Sequence, residues 1–429
     1  MQHREPRGLA TSRTGEGFLT DIIAAIDVGT TKICTLIAEV GTNGDEPSLS
    51  LIGLGLAPAR GLDKGMVVNV QQATESIAQS VEEAELAAGL PIHSAYVGIS
   101  GKHIATTSSE GVVPVSRSSR GITSHDIELA LESASTTVSK QPSQEVIHTI
   151  ARRFTVDEQT GIRDPSGMHG NRLEVEAQTV LGTSSAITNL VKCVRAYDIE
   201  VEDLVLEPLA SGQAVLTPAE RELGVAVVDI GGGTTDIAVF LEDSLWHAVV
   251  REIGGNLFTK DVAVGLRTPF DVAERLKMRH GHVLPDIISP DERVSLTGFG
   301  DRRAAYVHRR DLASILAARA EETLELVFTE LKRSAYDGIL PAGVVLCGGT
   351  ALLPGLKPLA EEMLQCPVRI GSPDSIAGMG ADLANPAFAT GVGLLLWGMR
   401  HNRRTGGQRR VEDSAWDRVS RWLRNLLPG

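Results

Sequence analysis

Asp229 closes the apolar run Val227, Val228 and is followed by Ile230, Gly231, Gly232, Gly233, Thr234, Thr235 and Asp236, then by a second apolar run, Ile237 to Phe240. Two β-branched runs around a glycine and threonine turn predict a hairpin with both strands buried. With no Cβ, the backbone N–H groups of Gly231, Gly232 and Gly233 can come close to an anion, and Thr234 and Thr235 add hydroxyl donors. A carboxylate at the strand end repels phosphate unless a divalent cation stands between them, so the stretch points to Mg²⁺ and phosphate together. A glycine-rich turn in an ordinary sheet is the plainer alternative. The order recurs near the start as Ile26, Asp27, Val28, Gly29, Thr30, Thr31, Lys32, leading into Ile33, Cys34, Thr35, Leu36 and Ile37. Two such hairpins in one chain predict a duplicated unit. Lys32 either meets a phosphate or is solvated at the turn. A third stretch, Gly343 to Cys347 and then Gly348, Gly349 and Thr350, reads as a buried strand ending in a small-residue turn against which a flat ring can lie.

The elements that must position these residues follow from periodicity. Strands are expected over 49–56, 112–115 and 201–206, and helices over 71–88, 124–139, 188–196, 259–266, 271–279, 311–334 and 356–364. Ile77, Val81, Ala84 and Ala88 give the first helix one apolar face. Glu207 precedes Pro208 at a strand-to-helix junction, where proline is favourable because its missing N–H has no helical partner. A carboxylate there can orient an attacking water, or serve only as an acidic N-terminal cap. Glu274 and Lys277, three apart on one helical face, can pair with each other. Arg302, Arg303, His308, Arg309 and Arg310 form a basic run before the long helix, and a solvated basic face is its plain reading.

A chain of 429 residues is too long for one core and should form two or more domains. Aromatics are only 4%, so the core must rest on Val, Leu, Ile and Ala. The net charge of −13 argues against general nucleic-acid affinity. Cys34, Cys193, Cys347 and Cys366 are widely spaced in apolar contexts and read as reduced cytosolic core residues. No apolar run approaches the roughly 18 residues that span a bilayer. The polar first 20 residues lack the apolar stretch of a signal peptide and read as a disordered extension.

The two hairpins and the late Gly-Gly-Thr resemble the actin, Hsp70 and sugar-kinase superfamily. Within it the chain resembles the FtsA family of actin-like bacterial cell division proteins over about residues 22–400. The marks are Arg60-Gly61-Leu62-Asp63-Lys64-Gly65-Met66-Val67-Val68, Glu207-Pro208-Leu209-Ala210-Ser211, Ile253-Gly254-Gly255-Asn256 and Ala273-Glu274-Arg275-Leu276-Lys277. The resemblance implies an α/β, actin-like two-domain ATPase fold with an inserted subdomain and a C-terminal amphipathic helix. Its parts would be an N-terminal extension (1–20), domain 1A (21–98, 179–222 and 373–399), the inserted subdomain 1C (99–178), domain 2A (223–252 and 339–372), subdomain 2B (253–338), a linker (400–412) and a membrane helix (413–429). It also implies ATP in the cleft, with Asp27 and Asp229 holding Mg²⁺ through water. Gly29, Thr30, Thr31 and Lys32 and the second hairpin, Gly231 to Thr235, would bind the β- and γ-phosphates. Gly254, Gly255 and Asn256 would continue the site, Glu274 and Lys277 would face ribose and adenine, and Gly348, Gly349 and Thr350 would line the nucleoside. Glu207 would position the water. Implied partners are further copies of the chain, other division proteins and the tail of the tubulin-like protein FtsZ, received by Arg302, Arg303, Arg309 and Arg310.

The tail carries its own signal. Residues 400–411 are hydrophilic, and the helix expected after them has Ser414 and Asp417 spaced as a capping box. Trp416, Val419, Trp422, Leu423, Leu426 and Leu427 fall on one face, and Arg418, Arg421 and Arg424 on the other. Such a helix on a linker suits an anionic membrane surface, and docking on the body or on a partner is the alternative. The family resemblance implies that this surface is the inner face of the cell membrane at the septum. Three rivals share the hairpins. A sugar or acetate kinase needs a carboxylate base beside an acceptor pocket, an Hsp70 chaperone needs a long β-rich domain after the body, and a pilus-assembly relative of FtsA would differ in not binding FtsZ.

Overall fold

β1 (Asp21–Val28) is buried from its third residue onward, as a strand covered on both faces must be. The computed structural model to which it belongs describes residues 21–43, 46–115, 121–138, 141–296, 305–334, 340–373, 376–380 and 383–405. Residues 1–20, Arg302, Arg303 and the whole helix expected over 413–429, with Trp416, Arg418, Val419, Arg421, Trp422, Leu423, Arg424, Leu426 and Leu427, lie outside the described residues.

β1 turns through the first Gly-Thr-Thr loop into β2 (Lys32–Asn43), which is followed by β3 (Glu46–Pro58), the short pair β4 (Leu62–Asp63) and β5 (Met66–Val67), the helix α1 (Val70–Ala88) and β6 (Ser94–Ile99). Asn69 caps α1 by accepting from the Gln72 N–H, and Gly89, at φ 72°, ends it with a bond to the Glu85 carbonyl. Its buried face, Ala73, Ile77, Val81 and Ala84, presses on β3. Gly55 makes that approach possible, because a Cβ there would stand 1.9 Å from the Ser80 carbonyl oxygen.

The chain then leaves for the insert: β7 (Ala105–Pro114), α2 (Ser124–Thr137), β8 (Gln144–Val156), β9 (Gln159–Ile162) and β10 (Arg172–Thr183). These strands form a separate sheet in the order β7-β10-β8-β9, with a small core of its own around Ile122, Ala130, Ala134, Phe154 and Leu173. Thr123 and Asp126 close a capping box on α2. Back in the body come α3 (Ser184–Arg195), β11 (Glu200–Leu206), α4 (Glu207–Val215) and α5 (Pro218–Leu223).

The second half contains β12 (Val225–Ile230), β13 (Thr235–Leu241) and β14 (Ser244–Arg251), then α6 (Gly255–Gly265), α7 (Phe270–His280), the pair β15 (Arg293–Leu296) and β16 (Ala305–His308), and α8 (Arg309–Arg333). β17 (Val344–Cys347), α9 (Leu356–Leu364), β18 (Val368–Ile370) and α10 (Ala389–Thr405) complete it. The two body sheets run β11-β6-β1-β2-β3 and β14-β13-β12-β17-β18. In both, the first strand pairs antiparallel with the second and parallel with a later one: β1 with β2 and β6, β12 with β13 and β17. The expected duplication is therefore a duplication of sheet topology.

Several boundaries depart from the pattern: β7 begins seven residues before the strand expected over 112–115, and α3 begins at Ser184, four residues before the helix expected over 188–196. α6 starts at Gly255, four residues before the expected helix, because the Gly255 and Asn256 N–H groups of its first turn donate to the Gly231 and Gly232 carbonyls at 2.9 and 2.8 Å. α10 continues to Thr405, so the stretch expected to act as linker from Arg400 begins inside a helix. Polar composition marks the last turn of a helix as readily as a linker.

Candidate nucleotide cleft

The cleft is built where the two hairpin turns meet. Gly232 and Gly233 lie against Thr31 and Thr30, so closely that a Cβ would stand 2.3 Å from Thr31 Cγ2 or 2.5 Å from Thr30 Oγ1. The glycines thus serve hairpin-to-hairpin packing as well as any ligand. Around this junction opens a cleft of about 410 Å³, a size that suits a nucleotide-like ligand.

Of the residues expected at the site, Asp27, Gly29, Thr30, Thr31, Lys32, Glu207, Asp229, Gly231, Gly232, Thr234, Gly255, Asn256, Glu274, Lys277, Gly348, Gly349 and Thr350 line this cleft. Gly233, Thr235 and Gly254 do not line it. Gly233 packs on Thr30, as above. Thr235 is fully buried and its hydroxyl donates to the Ile253 carbonyl at 2.7 Å. Gly254 lets its loop approach the second hairpin, since a Cβ there would come within 2.9 Å of the Gly231 oxygen.

The carboxylates are concentrated at the floor. Asp27 and Asp229 are 7% and 8% exposed at matching strand ends. Burial raises the Asp27 carboxyl to about 6, with Lys32 opposing and Asp229 adding. Burial also raises Asp229, against hydrogen bonds from Ser211 (2.6 Å), Thr390 (3.1 Å) and the Cys347 thiol. Glu207, at the start of α4, is pushed well above its ordinary range by burial and then by the charges of Asp236, Asp27 and Asp229. It hydrogen-bonds to Asp236, which burial raises to about 7 and whose two oxygens receive the Ser100 hydroxyl at 2.9 and 2.8 Å. Gly348, at φ 81°, sits so near Asp229 that a Cβ would stand 2.3 Å from Oδ1.

This donor set fits a hard divalent cation held through water. The buried Asp27 and Asp229 have Lys32 as their nearby cation, and both favour an added positive charge. Asp229 already accepts bonds from Ser211 and Thr390, and among the described residues no group of three or more His, Cys, Asp or Glu forms a direct metal cage.

Lys32 is not a solvated turn lysine: its Nζ donates to the Ala387 carbonyl at 2.8 Å and lies 3.5 Å above the Phe388 ring centroid. Glu274 and Lys277 do pair, at 2.8 Å, and Lys277 also donates to Thr259 Oγ1 (2.9 Å) and the Gly255 carbonyl (3.1 Å). The pair therefore forms part of the wall. Sequence reasoning missed the apolar wall beside it, Met278, Leu352, Leu353 and Pro354. Met278 and Leu352 are 74% and 51% exposed at the mouth, where an aromatic base would cover them. Their position directly after Lys277 and after Gly349-Thr350 was the available signal. Asp236, Ser100, Ser211 and Thr390 were missed as well, since only the tertiary fold brings them together.

Arg309 and Arg310 are separate from the cleft at the start of α8. Arg309 donates to Glu292 (2.7 Å) and the His280 carbonyl (2.9 Å), and Arg310 to the Pro285 carbonyl (3.1 Å), with Asp286 at 3.5 Å. They are paired within the chain rather than presented as a free basic cluster.

Two sheets of one topology facing each other across a hairpin-lined cleft define an actin-like ATPase fold. Solved structures agree on it: a PilM–PilN type IV pilus biogenesis complex at TM-score 0.62 and 16% identity, covering 88% of this chain and 98% of that one, and MreB5 of Spiroplasma citri bound to ADP at 0.55 and 14%, covering 90% and 99%. Residues 226–393 match the family model for cell division protein FtsA, and residues 101–181 match the SHS2 domain inserted in FtsA. Cell division protein FtsA of Pseudomonas aeruginosa is 42% identical over 379 residues, covering 88% of this chain and 89% of that one. The Escherichia coli K12 protein is 35% identical over 412 residues, covering 94% and 96%. The chain belongs to the FtsA family of cell division proteins.

Proposed function

We propose that the chain binds Mg·ATP in this cleft, assembles with further copies of itself on the inner face of the cytoplasmic membrane, and tethers FtsZ filaments at the septum through the FtsZ tail. The observation that carries the nucleotide reading is the meeting of two matched hairpins, each ending a strand in a buried aspartate, beneath an apolar mouth. The hairpin N–H groups and the Thr30, Thr31 and Thr234 hydroxyls bind phosphate oxygens, and the wall of Met278 and Leu352 holds the base. Mg²⁺, when bound, neutralises phosphate charge and lowers the carboxyl pKa values beside it. Glu207, held by Asp236, would orient a water near the last phosphate, a placement that supports hydrolysis. Assembly and the membrane and FtsZ contacts rest on membership of the FtsA family.

Titration calorimetry with Mg·ATP tests the cleft, and a pulldown with the FtsZ tail from the same cell tests the tether. A chain that binds nucleotide but not that tail would overturn the tether and leave the nucleotide reading standing. We assign the tail contact to Arg302, Arg303, Arg309 and Arg310, of which Arg309 and Arg310 would exchange their pairing with Glu292 and Asp286 for carboxylates of the tail. Replacing Arg309 and Arg310 by Glu should weaken tail binding and spare ATP, and equal tail affinity would move the contact elsewhere.

A further inference from the structure

β14 is the edge strand of the second body sheet, and an edge strand presents a row of unpaired backbone groups. Here the insert supplies donors to three of its carbonyls. Arg152 of β8 donates through Nη2 to the Trp246 carbonyl and through Nε to the Leu245 carbonyl at 3.4 Å, while Thr106 of β7 donates to the Ala248 carbonyl at 2.7 Å. β14 is bulged at Trp246, since Val239 pairs with His247 and Phe240 with Leu245, and the bulge lets the adjacent Leu245 and Trp246 carbonyls both reach Arg152. The Arg152 guanidinium also lies 4.6 Å over the Trp246 ring, and its other donors reach Ser108 (3.2 Å) and Gln178 on neighbouring strands of the insert. One side chain thus joins three insert strands to the second half of the body. Arg153 forks onto Glu242 at 2.8–3.0 Å and Arg163 onto Glu222 at 2.6 and 2.9 Å, extending the seam toward solvent, where each pair adds little by itself.

The other end of β14 leads to the cleft. After Arg251 come Glu252, which Lys64 and Lys102 approach at 3.5 Å, and Ile253, whose carbonyl holds Thr235. Gly255 and Asn256 then bind the carbonyls of Gly231 and Gly232. A single strand therefore runs from the insert seam to the loop on which the second hairpin rests. Away from the seam, the insert is tied to the first half of the body: the Leu206 N–H donates to His148 Nε2 of β8 at 3.2 Å, His148 lies against the Trp397 ring, and Ile147, Ile150 and Val180 pack into the body core, so the seam is what joins the insert to the second half.

We propose that Arg152 and Thr106 strap the inserted subdomain to β14, and that through β14 the strap couples the mobility of the insert to occupancy of the cleft. The coupling, though not the strap itself, rests on the nucleotide reading above. Ordering the second hairpin and the 253–256 loop around a ligand restrains β14, and the Arg152 contacts pass that restraint to β8 and β10. By linkage, whatever displaces the insert also changes the affinity of the cleft.

Hydrogen exchange followed by mass spectrometry on the full chain, with Mg·ATP and without nucleotide, separates the parts. In the parent chain Mg·ATP should slow exchange in the hairpin turns, in β14, and in the insert over 144–156. Arg152→Gln should keep the hairpin protection, lose the protection of 144–156, and without nucleotide speed exchange in β14 by about tenfold, the effect of losing a charge-assisted bond. Thr106→Val, a milder change, should shift the same peptides less and serves if Arg152→Gln does not fold. Protection that ends at β14 in the parent overturns the coupling. β14 exchange equal in parent and variants overturns the strap. Absence of hairpin protection in the parent overturns the nucleotide reading and the coupling with it, while faster β14 exchange in nucleotide-free Arg152→Gln would still uphold the strap.

Discussion

The Asp27 and Asp236 carboxyls are raised by burial to about 6 and about 7 from 3.8, so between those limits the folded chain holds protons that the unfolded chain has released. Stability then falls as pH rises through the window, because the folded state binds the excess protons. The nucleotide-free chain should melt at a lower temperature at about pH 8 than at about pH 6, and Mg·ATP should recover part of the loss at the higher pH. Thermal denaturation measures this, and Asp236→Asn should flatten the slope; a melting temperature that rises across the interval would refute the assignment of buried, uncompensated acids. Asp229→Ala removes one of the two strand-end carboxylates and should weaken Mg·ATP by at least about tenfold, or ~1.4 kcal/mol, by calorimetry. Ser211 and Thr390 lose their acceptor in that variant, so its folding is checked alongside. Asp27, Asp229 and Glu207 were legible in the sequence because each stands at a fixed place in a local motif. Ser100 and Thr390 were not, since nothing local distinguishes them from any serine or threonine and only the fold carries them to the acids.

At the scale of elements, α4 and α10 show how the floor of the cleft is held. Gly393 of α10 lies so close to α4 that a Cβ would stand 1.8 Å from the Ala210 carbonyl oxygen. The two helices carry Glu207, Ser211 and Thr390, so their separation sets the distances among the acids. Gly393→Ala should force them apart, lower stability by about 1–3 kcal/mol or more, and reduce Mg·ATP affinity together with it. Gly380→Ala, with no heavy atom within 4 Å of the added Cβ, is the control and should stay within about 0.5 kcal/mol. Equal melting of the two variants would mean that the helix contact carries no strain. Within the described residues the helices expected from periodicity all form, that of 356–364 to the residue, whereas β6, β8, β10, β14 and α10 were not read from the sequence. Boundaries failed where tertiary partners replaced local signals, as at Gly255, where carbonyls of another loop satisfy a helix start that the glycines alone did not suggest.

Across the whole molecule the family and the two-sheet fold were legible because the duplicated hairpins are local in sequence, while the seam between insert and β14 joins residues far apart and left no pattern to read. Among the described residues no helix is long and apolar enough to cross a membrane. The membrane contact proposed above would rest on the helix expected over 413–429. Two tryptophans and three leucines on one face gain on the order of several kcal/mol at about 25 cal/mol per Å² of apolar area buried. Part of this is lost in ordering a helix too short to be stable alone in water. Arg418, Arg421 and Arg424 add roughly 1 kcal/mol each beside an anionic surface. A single anchor should therefore bind reversibly, whereas many anchors joined in one assembly engage at high effective concentration and hold firmly. Deleting residues 413–429 should leave Mg·ATP binding intact and abolish sedimentation with anionic liposomes, and Trp422→Glu should do nearly the same. Raising the salt should weaken binding of the intact chain through the arginines, and neutral liposomes should retain less of it. If the truncated chain sediments with anionic liposomes as well as the full chain does, the helix is no anchor and its apolar face must be covered by the body or by a partner.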